Sequence, residues 1–146
     1  MASTPYPSHL NAACSPQLRE EVAFFQQWGY LVVDDAITSE QVDALRTALD
    51  ATFAQSDEQF IHRLLECDDA FAFLLDNPPI FSRMKAILGE CVQLHSATAR
   101  VTMPGEKDQN WHRDVPWPVS PEGTPYGAIP GQINCGYYLD ELSEEN

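Results

Sequence analysis

Five prolines, at positions 116, 118, 121, 125 and 130, and three glycines, at 123, 127 and 131, crowd one stretch of this chain. Proline lacks the backbone N–H that a helix interior or a central strand requires, and glycine leaves the backbone conformationally free. Residues 116–131 are therefore predicted to form a long loop. A structureless connection of that length inside a compact domain is usually a lid or a binding loop. Strand-like runs flank it, 92–101 before and 132–139 after. Between the first run and the loop stand Met103-Pro104-Gly105, a polar segment at 106–110, and then Trp111-His112-Arg113-Asp114. Strand, polar pair, long loop, strand is an order that suits the mouth of a β-barrel or jelly roll.

His112 and Asp114 are the chemically informative members of that segment. On extended backbone, side chains i and i+2 leave the same face, roughly 7 Å apart along the strand. An imidazole and a carboxylate so placed can converge on one metal ion. Joined by a second histidine from elsewhere, they make the two-histidine, one-carboxylate face that holds non-haem Fe(II) in oxygenases. Taken alone, the tripeptide reads more readily as a surface turn than as a metal site, so its weight comes from the flanking strands and loop.

The rest of the chain reads as helices leading into strands. Residues 1–15, with Pro5 and Pro7, are expected to be a flexible tail. Ser15-Pro16 opens a helix over 16–28, with Leu18, Val22, Phe25 and Trp28 at helical spacing, Phe24 beside them and Gly29 as the stop. Phe24, Phe25 and Trp28 are expected in the core. Residues 30–33 read as a short strand. A second helix spans 39–54, capped by Ser39 and carrying Val42, Leu45, Ala48, Leu49 and Phe53. Segments 57–65 and 70–75 are read as helical, and Pro78-Pro79 starts a helix ending at Gly89. The expected class is α+β.

Charge and cysteine usage narrow the function. Eight basic against 22 acidic residues give a net charge of −14. Nucleic acids and anionic membranes attract Lys and Arg, so neither is an expected partner. No apolar run approaches 18 residues, and 1–10 lacks the basic and apolar regions of a signal peptide. Cys14, Cys67, Cys91 and Cys135 are scattered without a Cys-x-x-Cys pair, which points to reduced thiols and a cytoplasmic location. Asp34-Asp35 and Asp68-Asp69 are read as turns or caps, because adjacent carboxylates point apart. His62 is read as a surface residue on a charged helix. His95 shares strand parity with Ala97, Ala99, Val101 and Met103, and either lines a pocket or is a hydrogen-bonded strand histidine.

Five segments, in order, resemble one known family. Phe25-x-x-Trp28-Gly29-Tyr30-Leu31-Val32-Val33 followed by Ile37-Thr38-Ser39-Glu40-Gln41-Val42 is similar to the opening of the phytanoyl-CoA dioxygenase family. Asn77-Pro78-Pro79-Ile80 through Leu88-Gly89 resembles the helix before that family's barrel. Pro104-Gly105, Trp111-His112-x-Asp114, and Tyr138-Leu139-Asp140-Glu141 with Glu145-Asn146 resemble its first metal-ligand region and the following strand. The likeness covers about residues 16–146.

The resemblance implies N-terminal helices over 16–90 and the first strands of a cupin-like double-stranded β-helix (jelly roll) over 91–146, incomplete here. It implies an Fe(II)- and 2-oxoglutarate-dependent dioxygenase using O₂ to hydroxylate a small organic substrate, with His112 and Asp114 as metal ligands and catalytic centre. The candidate cofactor-contacting positions are His95, Val101, Gln132 and Asn134. Arg113 replaces the glutamine common in the family. Asp114 stands where related halogenases have Gly or Ala, which implies hydroxylation rather than halogenation. The family's distal histidine and its 2-oxoglutarate-pairing arginine follow the position that matches Asn146, so this chain corresponds to the N-terminal half. The alternative is a non-catalytic remnant with a binding or assembly role. Substrate identity and oligomeric state are not encoded in any motif.

Overall fold

A computed structural model describes residues 14–107, 109–112, 114 and 131–143. Its elements, in order, are α1 (Pro16–Trp28), α2 (Ser39–Phe53), β1 (Phe60–Ile61), two 3₁₀ helices, η1 (Leu64–Glu66) and η2 (Asp69–Leu75), α3 (Pro78–Leu88) and β2 (Ala99–Arg100). They fall into two compact units. The first gathers α1 and α3 with the described parts of 111–133, and the second gathers 35–77, 93–110 and 134–146. No helix among the described residues is long and apolar enough to cross a membrane.

In the first unit, α1 starts because Ser15 Oγ accepts the Leu18 N–H at 3.1 Å and Pro16 needs no N–H partner. It stops at Gly29, whose φ of 79° is left-handed, and whose N–H donates to Phe25 O at 2.7 Å. Gly89 closes α3 the same way, with φ 101° and an N–H bond to Lys85 O. Val22 packs with Ala86 and Ile87, and Leu18, Phe25 and Ile133 lie against that cluster. Phe24 and Trp28 do not join it. They are 39% and 60% exposed, and Phe24 packs its ring on Trp28 and edge-on against Tyr30. Helix geometry explains the correction. At about 100° per residue, Phe24 lies roughly 160° from Val22 and Trp28, on the last turn, roughly 120°, whereas 18, 22 and 25 fall within about 60°.

Glu21 and Arg83 tie α1 to α3 inside this unit, with Arg83 Nη2 donating to Glu21 Oε1 at 2.7 Å. Each side chain is only 19% exposed. Arg83 Nε and Glu21 Oε2 are buried without a hydrogen-bond partner. A bidentate arginine–carboxylate fork would use both of these atoms.

In the second unit, α2 begins at Ser39 as expected, but its cap is a capping box one residue earlier. Thr38 Oγ1 accepts the Gln41 N–H and Gln41 Oε1 accepts the Thr38 N–H, so Thr38 rather than Ser39 is the cap. Hydrogen bonds from the Glu40 backbone and the Thr38 hydroxyl hold the Glu40 carboxyl below its ordinary pKa. Leu45, Ala48, Ile61, Leu64 and Phe71 form the core, with Ala97, Ala99 and Leu139 among the residues packed on it.

Segment 57–65 is not the expected helix. Phe60 and Ile61 pair antiparallel with Arg100 and Ala99. Val101 N–H donates to Gln59 O and Leu64 N–H to Ala97 O, both at 3.0 Å, extending the contact at each end. Arg63, at φ 56°, then turns the chain into η1. The segment does carry apolar i, i+4 pairs, Phe60–Leu64 and Ile61–Leu65, that would suit a helix, but the contact with 97–101 gives its backbone donors partners instead. His62 accordingly follows a strand rather than sitting on a helix, and its ring packs on Phe60 at 4.6 Å. Segment 70–75 is helical as 3₁₀ turn, and Asp68 Oδ1 caps it by accepting the Ala70 N–H. Asp34 and Asp35 lie in a turn, Asp35 at φ 52°. The expected strand at 30–33 joins no ladder, and only Ala99–Arg100 of 92–101 does. No ladder is assigned to 132–139, yet Ile133, Tyr137 and Leu139 are half-buried while Asn134, Gly136 and Tyr138 are exposed. The two-residue alternation of extended backbone is thus clear over 136–139, while Gln132 (half-buried) and Cys135 (exposed) break it earlier in the run.

Two outcomes test this packing. Phe71 is fully buried, so Phe71→Ala should cost about 3–5 kcal/mol in urea unfolding. A loss below about 1 kcal/mol would mean that η2 does not seat Phe71 in the core. A double-mutant cycle with Glu21→Gln and Arg83→Met should return a coupling of about 1–2 kcal/mol. Simple additivity would remove the ion pair from the fold's support.

Candidate metal pair

A braced turn in the second unit precedes the pair in sequence. Met103, Pro104, Gly105 and Glu106 form a turn in which Glu106 N–H donates to Met103 O and Glu106 Oε2 accepts the Met103 N–H. Gly105 takes φ 81°, a conformation that favours glycine. Arg100 on β2 donates to Glu106 Oε1. The Met103 N–H first, and Arg100 second, hold the Glu106 carboxyl below its ordinary pKa.

His112 and Asp114 lie in the first unit, on irregular backbone rather than a paired strand. Their side chains converge: His112 Nε2 stands 3.2 Å from Asp114 Oδ1, with the two side chains 57% and 46% exposed. Two donors each about 2.1 Å from an octahedral ion and at right angles to one another are about 3.0 Å apart. The observed separation matches that edge. It is equally the length of an ordinary imidazole–carboxylate contact. As a donor set, a neutral imidazole nitrogen and a carboxylate oxygen fit Fe(II) on two of three facial positions. Among the described residues, no cluster of three or more His, Cys, Asp or Glu side chains is arranged for a metal ion.

The other candidate residues are placed as follows. Gln132 is half-buried in the first unit. His95, Val101 and Asn134 belong to the second. His95 is exposed, with Nδ1 3.4 Å from Ser96 Oγ, and Val101 is engaged through its backbone N–H with Gln59. Ala97 and Ala99 carry the core-facing side of that run, while His95 at the same parity is solvent-exposed. Trp111 is fully exposed beside His112. Arg113, Trp117, Tyr126 and nearly all of the 116–131 loop lie outside the described residues.

Motif reading passed over one polar cluster in the second unit. Asn77, the sole buried polar residue among those described, donates its amide to Ala36 O at 2.9 Å and to the Tyr137 hydroxyl at 3.3 Å. Burial pushes the Tyr137 pKa up. Cys135 is exposed as a residue, yet its thiol is partly desolvated; this pushes its pKa up, against the opposing effect of a hydrogen bond with Tyr137. Full use of both amide hydrogens explains why an asparagine is tolerated there. The available signal was Asn77 preceding Pro78-Pro79, a polar residue at a helix start. Its partners, 41 and 60 residues away, left no local trace.

Glu106 supplies a pH prediction. Its folded-state pKa is depressed, so it adds stability that is present above the ordinary carboxylate range and lost as pH falls through the folded value. Glu106→Gln should be less stable than the parent at about pH 7, with the gap closing toward about pH 3. A gap that stays constant over this range in urea unfolding would mean that the carboxylate charge does not brace the turn.

Comparisons of the chain with protein-family models, curated proteins and solved structures return no match.

Proposed function

We propose that this chain carries the first metal ligands of an Fe(II)- and 2-oxoglutarate-dependent dioxygenase of the phytanoyl-CoA dioxygenase type, acting on a small organic substrate. The observation that supports this reading is the 3.2 Å convergence of His112 Nε2 and Asp114 Oδ1, an octahedral edge formed by the donor types that hold non-haem iron. In this proposal Fe(II) with 2-oxoglutarate and O₂, when bound, supplies the oxidation, coupling decarboxylation of the keto acid to hydroxylation of the substrate. The chain's own part is to present two donors. His112 offers the lone pair of Nε2, so a metal must displace any proton held there, and Asp114 offers a full negative charge. Both are open to solvent, so neither needs a packing rearrangement to receive an ion. The resemblance puts the second histidine beyond the segment matching Asn146. His95, the other histidine on a strand-like run, lies before the motif, where the family has no ligand.

A non-catalytic role in binding or assembly is the second reading. It is favoured by the pair's being a two-donor set among the described residues.

Anaerobic calorimetric titration with Mn(II) or Fe(II), alongside a succinate assay with 2-oxoglutarate, separates the cases. Residues 1–146 alone should bind no tighter than about 10⁻⁶ M and form no succinate, as expected for a site one protein ligand short. Tight stoichiometric binding would show that another residue of this chain completes the site. An extended chain that includes a distal histidine should bind tightly and turn over. If it binds no metal, the dioxygenase reading falls and the binding role stands.

His112→Ala and Asp114→Ala should each abolish metal binding in the extended chain. Because both side chains are about half exposed, neither change should shift stability by more than about 0.5 kcal/mol. Retained metal affinity in either variant would remove that residue from the ligand set.

A further inference from the structure

We draw no further inference here: the strongest candidate, the exposed aromatic patch that Phe24, Trp28, Tyr30 and Val32 make at the C-terminal end of α1, carries nothing because no feature of the structure shows what covers it.

Discussion

The antiparallel contact between 59–64 and 97–101 is the constraint on which the second unit depends. It is small: two paired residues on each strand and one further backbone hydrogen bond at either end. Loop closure costs entropy that a few backbone bonds alone offset poorly, each being worth about 1 kcal/mol net. What stabilises the closure is the burial that comes with it. Ile61 and Leu64 on one side, with Ala97 and Ala99 on the other, enter the same core as Leu45, Ala48 and Phe71. The ladder sets their register, and their burial maintains the ladder. It also delivers the chain to the Met103–Glu106 turn, because Arg100 sits on β2 and reaches Glu106 from there.

Charge is the second organising feature. Of eight basic residues against 22 acidic ones, Arg46, Arg63, Arg83, Lys85 and Arg100 each meet a carboxylate, on Asp140, Glu66, Glu21, Glu90 and Glu106. Most of these pairs are solvent-exposed and contribute little individually. Glu21–Arg83 differs because both side chains are four-fifths buried, and its charges therefore depend on one another. Asn77 solves the same problem without charge, by giving both amide hydrogens to acceptors.

Local chemistry was legible in the residues; long-range pairing was not. Ser15-Pro16 with Gly29, and Pro78-Pro79 with Gly89, bracket α1 and α3 because caps act on neighbouring backbone groups. Choosing Ser39 over Thr38 missed by one residue, since either hydroxyl could cap until Gln41 closed the box on Thr38. The reading of 57–65 as helix failed for another reason. Its backbone partners are 97–101, and nothing within the segment reveals them. Phe24 and Trp28 show that an apolar residue near a stripe is not on it: the angle about the helix decides, not the composition. The same distinction separates the site residues. His112 and Asp114 converge because one residue separates them, whereas roles for His95, Val101, Gln132 and Asn134 depend on tertiary geometry that no short motif specifies.

The acidity acts in opposite directions on the proposed reactants. A net charge of −14 enriches cations near the surface, which favours a divalent ion at an exposed imidazole–carboxylate pair within the roughly 8 Å over which physiological salt leaves the field effective. The same field repels 2-oxoglutarate, a dianion. Among the described residues, five basic side chains already meet carboxylates of the chain itself, so drawing on them for the keto acid would leave those carboxylates without their partners. In the proposed site, the charge that offsets the dianion must come first from the metal. Cosubstrate capture is then conditional on metal occupancy, and the arginine that the resemblance assigns to the distal carboxylate matters more in an acidic chain than in a neutral one.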